Sequence, residues 1–386
     1  MSIKKRITSI FLKMHNVKVK EVVVDHQKYL GKHKNSLKIY GYPPENMFFS
    51  PFNMTFDSID RLMLIDFEED PIYYGIELQI FRIVDEEYPL VLLYRKDDLV
   101  DIYYTNEAII DNRKKLIEDL LTNVSFSQLE KIDFKFQVDN MGLNAYLHLK
   151  DKLEKDIEFL IKENAPERDL TAMLAPVGAG SKKPKYFPVI YLNKFGMVIK
   201  KSTEIFVKTH GTLRKPVEMP VRMNGMHIYL ARFSLEPIIS NWNNSYSGNL
   251  NPILVNTSEL KVKNENLIYE ILDNGGYYEI EKISGKDMVG HSISFEFSPA
   301  IPNLIALKSN VNIKGKFSCC IDDRKGIFAG EFYINRVDDI ISLNIQPIKG
   351  WQPFPGKLWL KTYKWTADID IIDNDNIKIQ SYWYRI

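Results

Sequence analysis

Cysteine is nearly absent from this chain. Among 386 residues only Cys319 and Cys320 occur, and they are neighbours. Adjacent residues on a strand point to opposite faces, and a bridge between them would need a strained turn while closing almost no loop. A disulfide scaffold is therefore excluded. Two reduced thiols, one inward and one outward, are expected in a reducing, cytoplasmic setting. An excess of charge is missing too. Lys and Arg number 51 against 50 Asp and Glu, for a net charge of +1. Nothing here marks a nucleic-acid partner, and the aromatics are not interleaved with a basic stripe. No run approaches the roughly 18 apolar residues of a membrane helix, so no integral membrane segment is expected. Ile10-Phe11-Leu12 is too short for a secretory apolar core.

Recognisable chemical motifs are missing as well. No dinucleotide fingerprint, kinase signature or nucleophile elbow occurs. Gly178-Ala179-Gly180-Ser181-Lys182-Lys183 lacks phosphate-loop spacing, and reads instead as a rim loop. The seven histidines form no His-x-His, His-x₃-His or His-Glu-x-x-His pair, so neither a metal site nor a cofactor is expected.

What is present is a succession of short runs rich in β-branched and aromatic residues, separated by Gly, Pro, Asn and Asp. Tyr73–Phe81 and Ile293–Phe297 are two of them. Such runs predict an all-β protein. Strands are expected at 36–42, 59–67, 72–84, 90–94, 99–105, 132–138 and 143–149, with 150–163 leaning to strand by its alternation. More follow at 189–192, 197–200, 204–209 and 228–234. The second half adds 259–262, 267–273, 277–283, 291–297, 313–321, 326–336, 340–345, 356–371 and 377–384. Asp111–Thr122 is the best helix candidate. The stretches 173–188 and 212–223 read as irregular.

The Asn-rich stretch Asn241–Asn249 suggests a boundary. Three parts are expected: a basic N-terminal segment 1–35, a first β domain 36–240 and a second β domain 241–386. In the N-terminal segment Ile3, Ile7, Ile10 and Phe11 would share a helical face. That face suits weak membrane-surface contact, or simply an ordinary solvated terminus.

Tyr73–Phe81 followed by Leu90–Tyr104 forms one such layout, and His291–Phe297 followed by Pro299 and Gly315-Lys316-Phe317 forms another. With Trp351-Gln352-Pro353, Trp365 and Trp383, the layout resembles that of bacterial tandem lipocalin-like proteins of the carotenoid hydratase and hydroxyneurosporene synthase type. The resemblance implies two antiparallel β-barrels or curved β-sandwiches able to enclose an apolar small molecule. The Trp-Gly dipeptide patterns of better-known members are absent, so the resemblance carries no hydratase activity with it.

Candidate residues follow from strand faces. Phe48, Phe49 and Phe52 lie in an aromatic loop and are expected on an apolar rim. Tyr73, Phe295 and Phe297 are further candidate ligand contacts. His291 would share a face with Ile293, Phe295 and Phe297, where it could act as general acid or base; a strand-end histidine bonded to backbone is the plainer alternative. Glu77 shares a face with Tyr73, Gln79 and Phe81, and Asp101 shares one with Tyr103. If both faces line one cavity, Glu77, Asp101 and Tyr103 could meet, and a dry carboxylate there could donate a proton. Otherwise they are cross-strand pairs on a wet sheet face. Three functions remain open: binding of a hydrophobic small molecule in a barrel cavity, a cofactor-independent hydratase, cyclase or isomerase on a lipid-like substrate, and a carbohydrate-binding or carbohydrate-active sandwich using Trp242 or Trp351.

Overall fold

The computed structural model describes residues 38–386 except 44, 58, 112, 115–116, 119–120, 122, 166–168, 176–182, 221, 223–224, 257–258, 288, 323, 351–358 and 374–375. The N-terminal segment 1–35, the body of the 178–183 loop and Trp351 lie outside the described residues. The described chain is all-β, 67% strand and 5% helix. No described helix is long and apolar enough to cross a membrane.

Two compact units divide the chain. The first holds 57–175 and 191–238; the second holds 239–386 together with 38–56 and the described residues before 191. The contiguous division expected at 240/241 does not have this form, because two short upstream segments join the C-terminal half.

In the first unit, Arg61–Glu68, Tyr73–Ile83, Glu86–Arg95 and Val100–Tyr104 pair antiparallel in sequence order, and Val124–Gln128 adds a parallel partner. A parallel pair needs a crossover. Glu107–Asp111 opens that crossover as a helix and buries Ile109 and Ile110. Further helical bonds run from Ile117 N to Arg113 O and from Leu121 N to Ile117 O, within the expected 111–122 stretch. A second run, Asp133–Asp139, Gly142–Lys150, Asp156–Lys162, Glu204–Thr209 and Thr212–Pro216, is also antiparallel. Pro216 pairs with Phe67 and joins the two runs. Alternate residues of both meet in one core, among them Ile65, Ile76, Leu93, Leu147, Ile157 and Val207. Most of these strands thus present one face to a shared apolar layer.

The second unit is built on ten antiparallel strands. Lys261–Asn264, Leu267–Asn274, Tyr277–Lys286, Ser292–Ile301, Val311–Ile321, Arg324–Val337, Ile340–Gly350, Tyr363–Asp373 and Asn376–Arg385 pair in succession, and Tyr246–Leu250 adds the last edge. The sheet curls around its own side chains. Ser292–Ile301 and Asn376–Arg385 stand five strands apart in the order, about 24 Å along a flat sheet at ~4.8 Å per strand. Yet the Trp242 ring lies 3.9 Å from that of Phe295 and 6.0 Å from that of Trp383. One ring can touch both strands only if the sheet bends inward. The curl does not close: among the described residues Tyr246–Leu250 and Lys261–Asn264 are not paired with each other. Closed barrels, one of the two architectures expected, are therefore not found.

Local departures have physical causes. Residues 36–42 are not a described strand; Tyr40 makes a single bridge to Leu307 instead. Thr212–Pro216 is a strand despite its proline because Pro216 is the last residue of a short one. Ile228–Trp242 runs through the expected boundary into the Asn-rich stretch. Asn241, Trp242 and Asn243 are buried there.

Two glycines explain the Gly315-Lys316-Phe317 pattern. Gly315 pairs with Phe332, and Phe317 pairs with Gly330. A methyl group on Gly315 would strike the Phe332 ring, and one on Gly330 would strike the Phe317 ring and the Gln346 carbonyl. Each missing side chain makes room for the aromatic opposite, a device that pins strand register.

Candidate functional site

The concave side of the second unit is lined with aromatic rings. Period-two alternation aims Phe295 and Phe297, Phe317, Phe328 and Phe332, Trp365 and Trp383 to one side of successive strands. Phe187 and Trp242 come from outside the meander to fill the middle. Phe187 lies 5.1–5.4 Å from the rings of Tyr363, Phe328 and Trp383 and 6.0 Å from that of Trp359. Such offset and edge-on pairs stabilise beyond the area they bury.

Trp383 Nε1 donates to the Asn243 carbonyl at 2.6 Å. Among the described residues Nε1 of Trp242, Trp359 and Trp365 is buried without a hydrogen-bond partner. Trp242 and Trp365 are each 1% exposed. An unmet buried donor costs about 1–3 kcal/mol, so these positions are the chemically unfinished part of the layer.

The aromatic loop is not a rim. Phe48, Phe49 and Phe52 are 1%, 2% and 5% exposed. Phe52 lies 5.3 Å from the ring of Phe297 and 6.0 Å from that of Trp365; Phe48 meets Tyr269 edge-on. The expectation of an exposed apolar edge is corrected: these rings bury more area inward than a loop tip could. Trp242 likewise offers no exposed stacking platform for a sugar.

His291 stands one residue before its strand. Its Nδ1 stands 3.1 Å from Asp287 Oδ2, and its backbone N–H donates to Asp287 Oδ1. Asp287 also accepts from Val289 N and Gly290 N. The aspartate organises a turn, and the turn carries the histidine.

In the first unit the candidate carboxylates part company. Glu77 pairs with Leu92, and Leu92 with Ile102. Asp101 and Tyr103 flank Ile102, so they stand on the opposite face from Glu77, and the sequence-based meeting of the three does not occur. Glu77 accepts from Tyr94 OH at 2.5 Å and from Gln79 Nε2 at 2.6 Å. Burial pushes its carboxyl up, against those two donors. Arg113, stacked over Phe81 on that face, pairs with Asp57. At these positions both faces are dry: Glu77 is 8% and Asp101 1% exposed.

Asp101 joins a different group. It accepts from Tyr73 OH at 3.2 Å and pairs with Lys152 at 2.7 Å and Arg95 at 3.3 Å. Tyr103 accepts from Lys152 N, and burial pushes its phenol up to about 12. His210 Nε2 lies 2.7 Å from Asp151 Oδ2, with the imidazole edge-on to Tyr73. Tyr73, Asp101 and Tyr103 were legible as candidates; Asp151, Lys152 and His210 were not. His210 is 59 residues from Asp151, and no local spacing could reveal that pairing. Both oxygens of Asp101 are engaged, so the cluster ties the two strand runs together and holds its phenols protonated.

Among the described residues no group of three or more His, Cys, Asp or Glu is placed to hold a metal ion. Neither Cys319 nor Cys320 forms a disulfide, and both are buried; burial raises the Cys319 thiol well above its usual range. The expectation of one outward thiol is therefore corrected. Comparison with protein-family models, with curated proteins and with solved structures finds no match to this chain.

Proposed function

We propose that the second unit binds an apolar or amphipathic small molecule, lipid- or isoprenoid-like, whose polar end accepts hydrogen bonds from tryptophan. The observation that carries this reading is the set of acceptorless indoles, Trp242 and Trp365 above all, inside an aromatic layer. A carbonyl, hydroxyl or ether oxygen at those donors would recover part of their desolvation cost, while a chain or ring system would exchange contacts with the phenylalanines.

The tryptophans make the test direct. All five, Trp242, Trp351, Trp359, Trp365 and Trp383, fall in the second unit. Titration with cis-parinaric acid, a fluorescent polyene fatty acid, is expected to quench tryptophan emission saturably by energy transfer. Trp242→Phe keeps a ring and deletes the N–H, and is expected to weaken binding about tenfold, the scale of a lost hydrogen bond of ~1.4 kcal/mol. Non-saturable quenching, with no apolar compound extracted from protein purified from its own cells, would refute the reading.

A cofactor-independent hydratase, cyclase or isomerase acting on the same class of molecule is the second reading. It is favoured by the His291–Asp287 pair at the head of the strand that carries Phe295 and Phe297. His291→Ala would abolish turnover and leave the quenching titration unchanged; loss of both would assign the histidine to folding.

A further inference from the structure

A sealed aromatic layer needs a door before it can take a ligand. Phe295, Trp365 and Trp383 are at most 1% exposed, so an apolar molecule reaches this layer only if part of the wall moves. The wall is weakest where the curled sheet fails to close. Tyr246–Leu250 and Lys261–Asn264 are its two edges, and the chain between them, 251–260, runs from one to the other. Met47–Phe48 pairs with Ile253–Leu254 of that connection, and Asn46 O accepts from Val255 N. The segment that follows Phe48 therefore stands at the opening. Apolar side chains face water there: Tyr246 is 45%, Leu254 73% and Leu260 47% exposed.

Phe49-Ser50-Pro51-Phe52 is held differently from its flanks. Before it, Phe48 sits in a paired strand. After it, Asn53 O accepts from Asn243 N at 2.8 Å and Asn53 Oδ1 from Asn244 N at 2.7 Å. Between these anchors, among the described residues, no backbone–backbone hydrogen bond ties 49–52 to another segment. The Phe52 N–H donates to Ser50 Oγ at 3.2 Å, within the loop itself, and Pro51 has no N–H to give. Side chains hold the loop instead: Phe49 and Phe52 are buried, and Ser50 hydrogen-bonds Tyr269. Ser50 is partly exposed, so the loop meets solvent there. Phe52 lies at 26° to the rings of both Phe297 and Trp365, and Trp365 carries one of the acceptorless N–H groups. Such apolar contacts are non-directional. An apolar ligand can replace them without the loss of a ladder bond.

We propose that Phe49–Phe52 is the gate of the aromatic layer and that Phe52 is its plug. The ring leaves its place beside Phe297 and Trp365 when a lipid-like molecule enters, and returns when the molecule departs. The inference rests on the lipid-binding reading of the second unit. A fatty-acyl chain buries more apolar area than one benzyl group, so the exchange favours the ligand, and an oxygen at the vacated place can accept from Trp365 Nε1. Because the ligand binds the open loop, it raises the open population. The closed loop in turn lowers the apparent affinity, since only the open fraction is competent.

Stopped-flow quenching of tryptophan emission by cis-parinaric acid, on the full chain, tests the gate. Phe52→Ala removes the plug and is expected to raise the association rate at least about fivefold and to tighten binding. Phe52→Leu, the milder change should Phe52→Ala not fold, is expected to fall between it and the parent; melting temperatures and circular dichroism check folding. Phe49→Cys keeps the plug and places a thiol in the loop. Its alkylation by iodoacetamide is expected to run about tenfold faster with saturating cis-parinaric acid than without it; the parent, whose two cysteines are buried, is the blank. Saturable quenching of the parent with equal association rates in the variants, or alkylation that the acid leaves unchanged or slows, would overturn the gate and leave lipid binding standing. No saturable quenching of either the parent or Phe52→Ala would sink both.

Discussion

The two units fill their interiors in opposite ways. The first packs two strand runs about a layer dominated by Ile, Leu and Val, with charged groups gathered at its margin: Asp101 with Lys152 and Arg95, Asp151 with His210, Asp70 with Arg214. The second curls one meander around phenylalanine and tryptophan. Aliphatic side chains are short and suit two flat layers about 10 Å apart. Rings reach further and tolerate many contact geometries, so they can fill the hollow of a bent sheet. Both units bury polar atoms without a hydrogen-bond partner among the described residues: Gln79 Oε1 and Arg113 Nε beside the aliphatic layer, and indole donors within the aromatic one.

Four substitutions would break or sharpen this contrast. The largest effect is expected from Phe295→Ala, which empties a fully buried ring site against Trp242, Phe317 and Phe328. It should cost about 3–5 kcal/mol in chemical denaturation followed by tryptophan emission. A loss below 1 kcal/mol would mean that the ring layer is loosely packed.

Asp70→Asn tests the charged margin of the first unit. Burial pushes the Asp70 carboxyl up, but donors from Thr209, Tyr73 N and Ile72 N and the charge of Arg214 outweigh it and hold it below the ordinary value. A depressed carboxyl stabilises the fold above its unfolded pKa and loses that contribution as pH falls through the folded value. The variant should lose about 1–3 kcal/mol at neutral pH and progressively less as pH falls below the ordinary carboxyl range. Circular dichroism should register this, since tryptophan is absent from the first unit.

Gly315→Ala should cost about 1–3 kcal/mol by overpacking against Phe332. The companion change Phe332→Leu is expected to recover part of that loss if the Gly–Phe pairing is what the glycine serves.

Glu77→Gln is the smallest and carries the opposite pH sign. The buried Glu77 carboxyl is raised by desolvation. A raised carboxyl contributes stability at low pH and loses it as pH rises through the folded value. The variant, uncharged throughout, should therefore match the parent at low pH and be equal or slightly more stable at pH 8. A parent whose stability does not fall relative to the variant with rising pH would contradict a dry Glu77.

Much of the strand layout was legible before any fold was known. The strand expected at Glu204–Thr209 has the bounds found. The candidate site was less legible. Phe295 and Phe297 declare an inward face by alternation alone, but Phe187 and Trp242 lie in stretches that read as irregular or polar. Their role exists only where the curl brings distant strands together.

Composition and local period determined that this chain makes sheets, where most of its strands run and which residues share a strand face, because backbone sterics and side-chain alternation act within a few residues. Tertiary structure alone decided what each face meets: that Glu77 and Asp101 point apart, that His210 finds Asp151, that Phe52 is buried and that the C-terminal sheet bends without closing. Those outcomes depend on which strands pair across tens to hundreds of residues, and on how rings from separate segments fit one volume. No local stretch encodes either.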